Sequence, residues 1–93
     1  MAQLLTEAEI QKQAKALSGW TLKDSKLQIT RTFKDFVKAI EFVNKLVEPA
    51  ESQGHHPDIE ISYNQVKITL TTHDVGGLTQ LDFDVARAIS QID

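Results

Sequence analysis

The side chains in this sequence best suited to chemistry are His55, His56 and His73, with Glu51 and Asp82 as carboxylates spaced to support them. Imidazole changes charge near neutral pH, so histidines gathered with carboxylates suit proton transfer to and from a small polar substrate. The chain contains no cysteine, which removes a thiolate nucleophile, a disulfide framework and any cysteine-ligated zinc or iron–sulfur centre. Three histidines and a carboxylate are also suitable zinc ligands. His55 and His56 are adjacent, however, rather than on one helical face as in HExxH, which works against both joining one coordination sphere. No metal is therefore expected. Taken singly, each residue has a plainer reading: a solvated loop histidine, a helix-surface charge at Glu51, a helix-start residue at Asp82.

The elements that carry these residues follow from periodicity. Thr6 and Glu9 fit a capping box, and Ile10, Ala14 and Leu17 recur at helical spacing until Gly19. Trp20 and Leu22, a polar break at Asp24 and Ser25, then Leu27, Ile29 and Phe33 predict a first hairpin. Asp35 to Gln53 predicts the longest helix, with Phe36, Ile40, Val43 and Val47 on one face and Gly54 as its stop; Pro49 predicts a kink or a loosened end. Ile59, Ile61 and Tyr63, then Val66, Ile68 and Leu70, form two alternating runs around Asn64 and Gln65. They predict a second hairpin with these six residues on its core face. Gly76 and Gly77 read as a flexible turn, with no lysine or GxGxxG pattern to make a phosphate loop. Thr79 then caps a last helix, with Asp82 near its third position and Val85, Ala86, Ile89 and Ile92 as its buried stripe. The order is αββαββα. The expected fold is α+β, one domain over residues 1–93, with a four-stranded antiparallel sheet and three helices packed on one face. Trp20, Phe36 and Phe42 are assigned to the core.

If Asn64 and Gln65 form a two-residue loop, Tyr63 faces Val66, Ile61 meets Ile68 and Ile59 meets Leu70. The same register continued outward sets Pro57 opposite Thr72 and His56 opposite His73, gathering the three histidines at the open end of the hairpin. Pro57 biases His56 toward an extended conformation, so His55 and His56 are expected to point in different directions. Glu51, four residues before His55, is expected to orient that ring and favour its charged form. Asp82 is placed to order a ring nitrogen or a substrate amine.

Ten basic and thirteen acidic residues give a net charge of −3, with no basic block to follow a phosphate backbone, which argues against nucleic acid as a partner. No apolar run approaches the roughly 20 residues that cross a bilayer, and the first residues lack a signal-peptide layout. A soluble cytoplasmic protein is expected. The small core suggests a homo-oligomer.

The run Glu51-Ser52-Gln53-Gly54-His55-His56-Pro57, followed by Tyr63, Thr72-His73-Asp74, Gly77-Leu78-Thr79 and Asp82, resembles the pterin-4a-carbinolamine dehydratases. LSGW at Leu17 to Trp20 and FKDFVKAIEFV at Phe33 to Val43 extend the likeness through nearly the whole chain. The resemblance implies the αββαββα fold and assembly through paired sheets into a homodimer or homotetramer. It also implies loss of water from a 4a-hydroxytetrahydropterin to give quinonoid dihydropterin, in the recycling that serves aromatic amino-acid hydroxylases. On this likeness His55, His56 and His73 match the three active-site histidines, Glu51 and Asp82 the supporting carboxylates, and Pro57, Thr72 and Asp74 further supporting positions; the pterin is substrate, not cofactor. The sequence departs at Leu81, where some animal members carry arginine, and at Val75, where they can carry cysteine. The competing expectation is a dehydratase-like fold that acts without catalysis, as a binding or assembly module for another protein.

Overall fold

In the computed structural model, which describes residues 3–92, alternation builds one antiparallel sheet. Met1, Ala2 and Asp93, the ends of the 1–93 domain reading, lie outside the described residues. The strands are β1 (Thr21–Lys23), β2 (Lys26–Thr32), β3 (Asp58–Ser62) and β4 (Gln65–Leu70), in the order β1-β2-β4-β3. Pairing sets Leu27 against Leu70 and Ile29 against Ile68 on one face, and Gln28 against Thr69 and Thr30 against Lys67 on the other. The first face is covered by α1 (Glu7–Lys15), α2 (Phe36–Lys45), α3 (Val47–Gln53) and α4 (Gln80–Ser90). Ala39, Phe42 and Leu46 join Phe83, Val85, Ala86 and Ile89 of α4 in a single buried cluster with Leu27, Val66, Ile68 and Leu70. Each large apolar side chain so buried contributes about 1.5–3 kcal/mol, which is what holds α4, and with it Asp82, against the sheet.

The long helix expected over Asp35 to Gln53 is two helices. α2 ends at Leu46, which also begins α3. Pro49 is therefore the third residue of a new helix rather than a fault in the last turns of an old one. Its missing N–H falls in a first turn, where no intrahelical acceptor exists. Pro49→Ala is accordingly expected to lower the unfolding free energy by only about 0.4–1 kcal/mol, through the freer unfolded chain. Chemical denaturation measures this; a loss of about 3 kcal/mol or more would contradict the placement.

Both hairpins need left-handed backbone at their tips. Asp24 and Ser25 take φ of 50° and 61° in the first, and Tyr63 takes 52° in the second. The second loop is Tyr63–Asn64, not Asn64–Gln65, because Asn64 is pinned to the end of β2: its Nδ2 donates to the Phe33 carbonyl at 2.9 Å and its own carbonyl accepts from Phe33 N–H at 2.7 Å. The register moves by two residues, so Ile61 faces Val66 and Ile59 faces Ile68. A shift of two keeps the side chains of the strands on their expected faces. Burial still differs from expectation: on the edge strand β3 Ile59 is 37% and Ile61 41% exposed, and Tyr63, in the loop rather than on the core face, is 67% exposed. Of the three aromatic residues assigned to the core, Phe42 is buried and stacks at a tilt against Phe33, with ring centroids 5.0 Å apart. Trp20 packs on the core edge and donates from Nε1 to Ser90 Oγ at 2.8 Å, whereas Phe36, at the start of α2, is half exposed.

The capping box expected at Thr6 forms, with Thr6 N–H donating to Glu9 Oε1 at 2.8 Å and Glu9 N–H to Thr6 Oγ1 at 3.2 Å. The backbone bond from Thr6, then its side chain, hold the Glu9 carboxyl below its ordinary value. Because the folded value is the lower one, this small support for α1 is present above the ordinary glutamate range and fades as pH falls through the lowered value.

Candidate active site

The end of α3 decides where the two adjacent histidines go. Gly54 adopts φ 61° and ψ 30°, a left-handed conformation that a residue with a Cβ enters only with strain. Gly54 N–H then donates to the Glu51 carbonyl at 3.2 Å and His55 N–H to the Ala50 carbonyl at 3.0 Å. These two bonds are those of a Schellman motif. The reversal turns His55 inward toward α4 and leaves His56 on the outside.

His55 Nε2 lies 2.6 Å from Asp82 Oδ1, with the imidazole 11% exposed and the carboxylate fully buried. Asp82 is the third residue of α4, after its N-cap Thr79. Its other oxygen, Oδ2, accepts from Thr79 N–H at 2.9 Å and from the Thr72 hydroxyl at 2.8 Å. The Thr72 and Thr79 hydroxyls are in turn 2.8 Å apart. Oδ2 thus meets two fixed donors, at the start of a helix whose free N–H groups face it. His56 Nε2 lies 2.5 Å from Glu51 Oε2, but here both side chains are more than half exposed. That pair orients a ring; in water it adds at most about 1 kcal/mol to stability.

The carboxylate partners therefore differ from those that spacing suggests. Glu51 pairs with His56 rather than with His55, because the helix ends at Gln53 and the left-handed Gly54 breaks the i, i+4 relation. The cross-strand neighbour of His56 also differs. Carried past Asp58 and Thr69, the observed register brings His55 level with Thr72, the two residues that share Asp82. His73 is not opposite His56. It begins a short 3-10 turn, His73–Val75, which Gly76 closes at φ 70° while Thr72 N–H bonds the Gly77 carbonyl at 3.0 Å.

The three histidines nevertheless share one depression, of about 260 Å³, lined by Gly54, His55, His56, Thr71, Thr72, His73 and Asp74. Pro57 lies outside it. With Glu51 and His56 it borders a second, more apolar groove between α2, α3 and β3, of about 210 Å³. Among the described residues no group of three or more histidine, aspartate or glutamate side chains is arranged to hold a metal ion, and no helix is long and apolar enough to cross a membrane. Two members of the cluster escape a reading of residue types alone, Thr79 and Gly54. The available signals were the Thr-x-x-Asp spacing at residues 79–82 and a glycine directly before two histidines.

A buried carboxylate aimed at one histidine, beside two more in an open polar cleft on an α+β scaffold, is an arrangement chemically able to carry protons to and from a small substrate. The family model described as pterin 4 alpha carbinolamine dehydratase matches residues 3–92, and the chain belongs to that family. Proteins provisionally named pterin-4-alpha-carbinolamine dehydratase from Nostoc punctiforme and Trichormus variabilis are 80% and 79% identical over 92 residues, 99% of this chain and 99% of each relative. A crystal structure titled transcriptional coactivator/pterin dehydratase, from Brucella melitensis, superposes with a TM-score of 0.87 at 37% identity, covering 94% of this chain and 95% of that one.

Proposed function

We propose that the cleft removes water from a 4a-hydroxytetrahydropterin, giving quinonoid dihydropterin. The observation that carries this reading is the buried Asp82 held against His55 at the wall of a cleft that His73 also lines. Protonated His55 gives its proton to the 4a-hydroxyl, the C4a–O bond breaks, and water leaves. The N5 lone pair forms the C4a=N5 double bond, and neutral His73 takes the proton from N5. One proton is delivered and one withdrawn, so the substrate loses only water, and the two rings are reset through solvent. His56, held by Glu51 at the mouth of the cleft, orients the pterin, with Thr72 and Asp74 beside it. Such chemistry needs no nucleophile and no Lewis acid.

This reading puts the chain in the recycling of a reduced pterin used by an aromatic amino-acid hydroxylase, in the cytoplasm. The uncovered apolar edge at Ile59 and Ile61 supports assembly into a homodimer or homotetramer, since an exposed edge strand is a template for pairing. Sedimentation at the mass of one chain would overturn that assembly. The coactivator in the name of the Brucella structure keeps a binding module as the second reading. Mixing the folded protein with chemically generated 4a-hydroxytetrahydropterin and following its ultraviolet decay separates the two. Acceleration is expected, and an unchanged decay rate would favour the binding module.

A further inference from the structure

We infer that the Asp82 carboxylate holds neutral His55 with its proton on Nε2, so that Nδ1 is the atom that exchanges a proton with the substrate, and that Thr79 is a positioning residue that, with Thr72, fixes that carboxylate. The catalytic half of this statement rests on the dehydration reading; the tautomer does not. Each hydroxyl carries one proton, and that of Thr72 is committed to Asp82 Oδ2. At the 2.8 Å contact between the two hydroxyls, Thr79 must therefore be the donor. The chain of donors runs one way, from Thr79 to Thr72 to Asp82, and Thr79 N–H adds a second bond to the same oxygen. Asp82 is left as an acceptor at Oδ1, and the bond at 2.6 Å requires His55 to donate from Nε2. Among the described residues Nδ1 has no hydrogen-bond partner, and no buried polar side-chain atom lacks one. It follows that Nδ1 opens to the cleft that His55 lines.

The same three residues serve folding and chemistry at once. Thr79 is the N-cap of α4 and Asp82 its third residue, so the bond that satisfies a free N–H at the helix start also anchors the carboxylate. Thr79 is 1% and Thr72 6% exposed, so the donor order between them is set by their protein partners.

The test uses the full chain with ¹⁵N-labelled histidine. At a pH where the His55 ring is neutral, nitrogen NMR is expected to show Nε2 protonated and Nδ1 bare. In Thr79→Val the Thr72 hydroxyl loses its donor and the carboxylate loses part of its anchoring, but Oδ1 still accepts from Nε2 and the ring keeps this tautomer; in Asp82→Asn, whose amide offers an N–H there, the ring proton is expected on Nδ1. Turnover of Thr79→Val is expected to fall roughly tenfold, the lower range for losing an outer hydrogen-bond partner, with KM unchanged, and Thr79→Ser restores it. A proton on Nδ1 in the parent protein overturns the inference. So does a proton kept on Nε2 in Asp82→Asn; the positioning role of Thr79 is overturned by parental turnover in Thr79→Val or, should the valine variant not fold, by lost turnover in Thr79→Ser. Should the parent show the Nε2 tautomer yet leave pterin decay unchanged, the dehydration reading fails while the tautomer assignment stands.

Discussion

Replacing His55 or His73 with alanine lowers dehydration turnover by roughly 10²- to 10⁴-fold, the range for losing a positioned acid or base. That is about 3–5 kcal/mol in the barrier. The two variants are distinguishable by their folding. His73 is exposed and stands in a short turn closed by backbone bonds of Thr72, Gly76 and Gly77, so His73→Ala is expected to melt with the parent. His55→Ala leaves Asp82 Oδ1 without its partner. The cleft beside it admits water, so the cost to stability is expected to stay near the about 1 kcal/mol of one hydrogen bond. Stopped-flow decay of the 4a-hydroxypterin, together with denaturation curves, reads both quantities. Full activity in the double variant would end the proton-transfer mechanism.

Substitutions at Asp82 separate its two duties. In Asp82→Ala the Thr79 N–H, the Thr72 hydroxyl and His55 Nε2 all lose their acceptor. Because the site is buried, a loss of about 2–4 kcal/mol of unfolding free energy is expected. Asp82→Asn preserves the shape. Its amide oxygen accepts the two donors that now meet Oδ2, which turns the amide NH₂ toward His55 and makes Nε2 the acceptor. The ring proton moves to Nδ1, so the nitrogen that faces the cleft already carries it and cannot take another. Turnover is expected to fall roughly 10³- to 10⁴-fold, as when the orienting aspartate of a serine-protease triad becomes asparagine, with the fold retained. Equal loss of stability in the two variants, or an asparagine variant with near-parental turnover, would show that Asp82 only holds the start of α4.

The carboxylate assignment shows why the site was only partly readable from residue order. The histidines and carboxylates were named from the chain because their types are informative without geometry. Their pairing was not, because it turns on one backbone conformation. The spacing of Glu51 and His55 suggests contact only while the helix continues, and Gly54 in the left-handed region ends it, sending Glu51 to His56 and leaving His55 for Asp82. In the same way the alternation over residues 59–70 specified faces, which survive a slip of two. It did not specify the register, which Asn64 settles through bonds to Phe33, thirty-one residues away.

Sequence by itself determined the element order up to the break at Leu46, the sheet faces, the capping residues of the first and last helices, and the residue types of an acid–base cluster, because each of these is local periodicity or local chemistry. Tertiary structure alone decided that the long helix divides at Leu46, that β3 lies uncovered at the edge, and that Thr72, Thr79 and Asp82 bury one carboxylate against His55. Those outcomes depend on which distant groups satisfy a buried donor or cover an apolar face. Contacts across 27 residues, such as that of His55 with Asp82, have no signature in spacing.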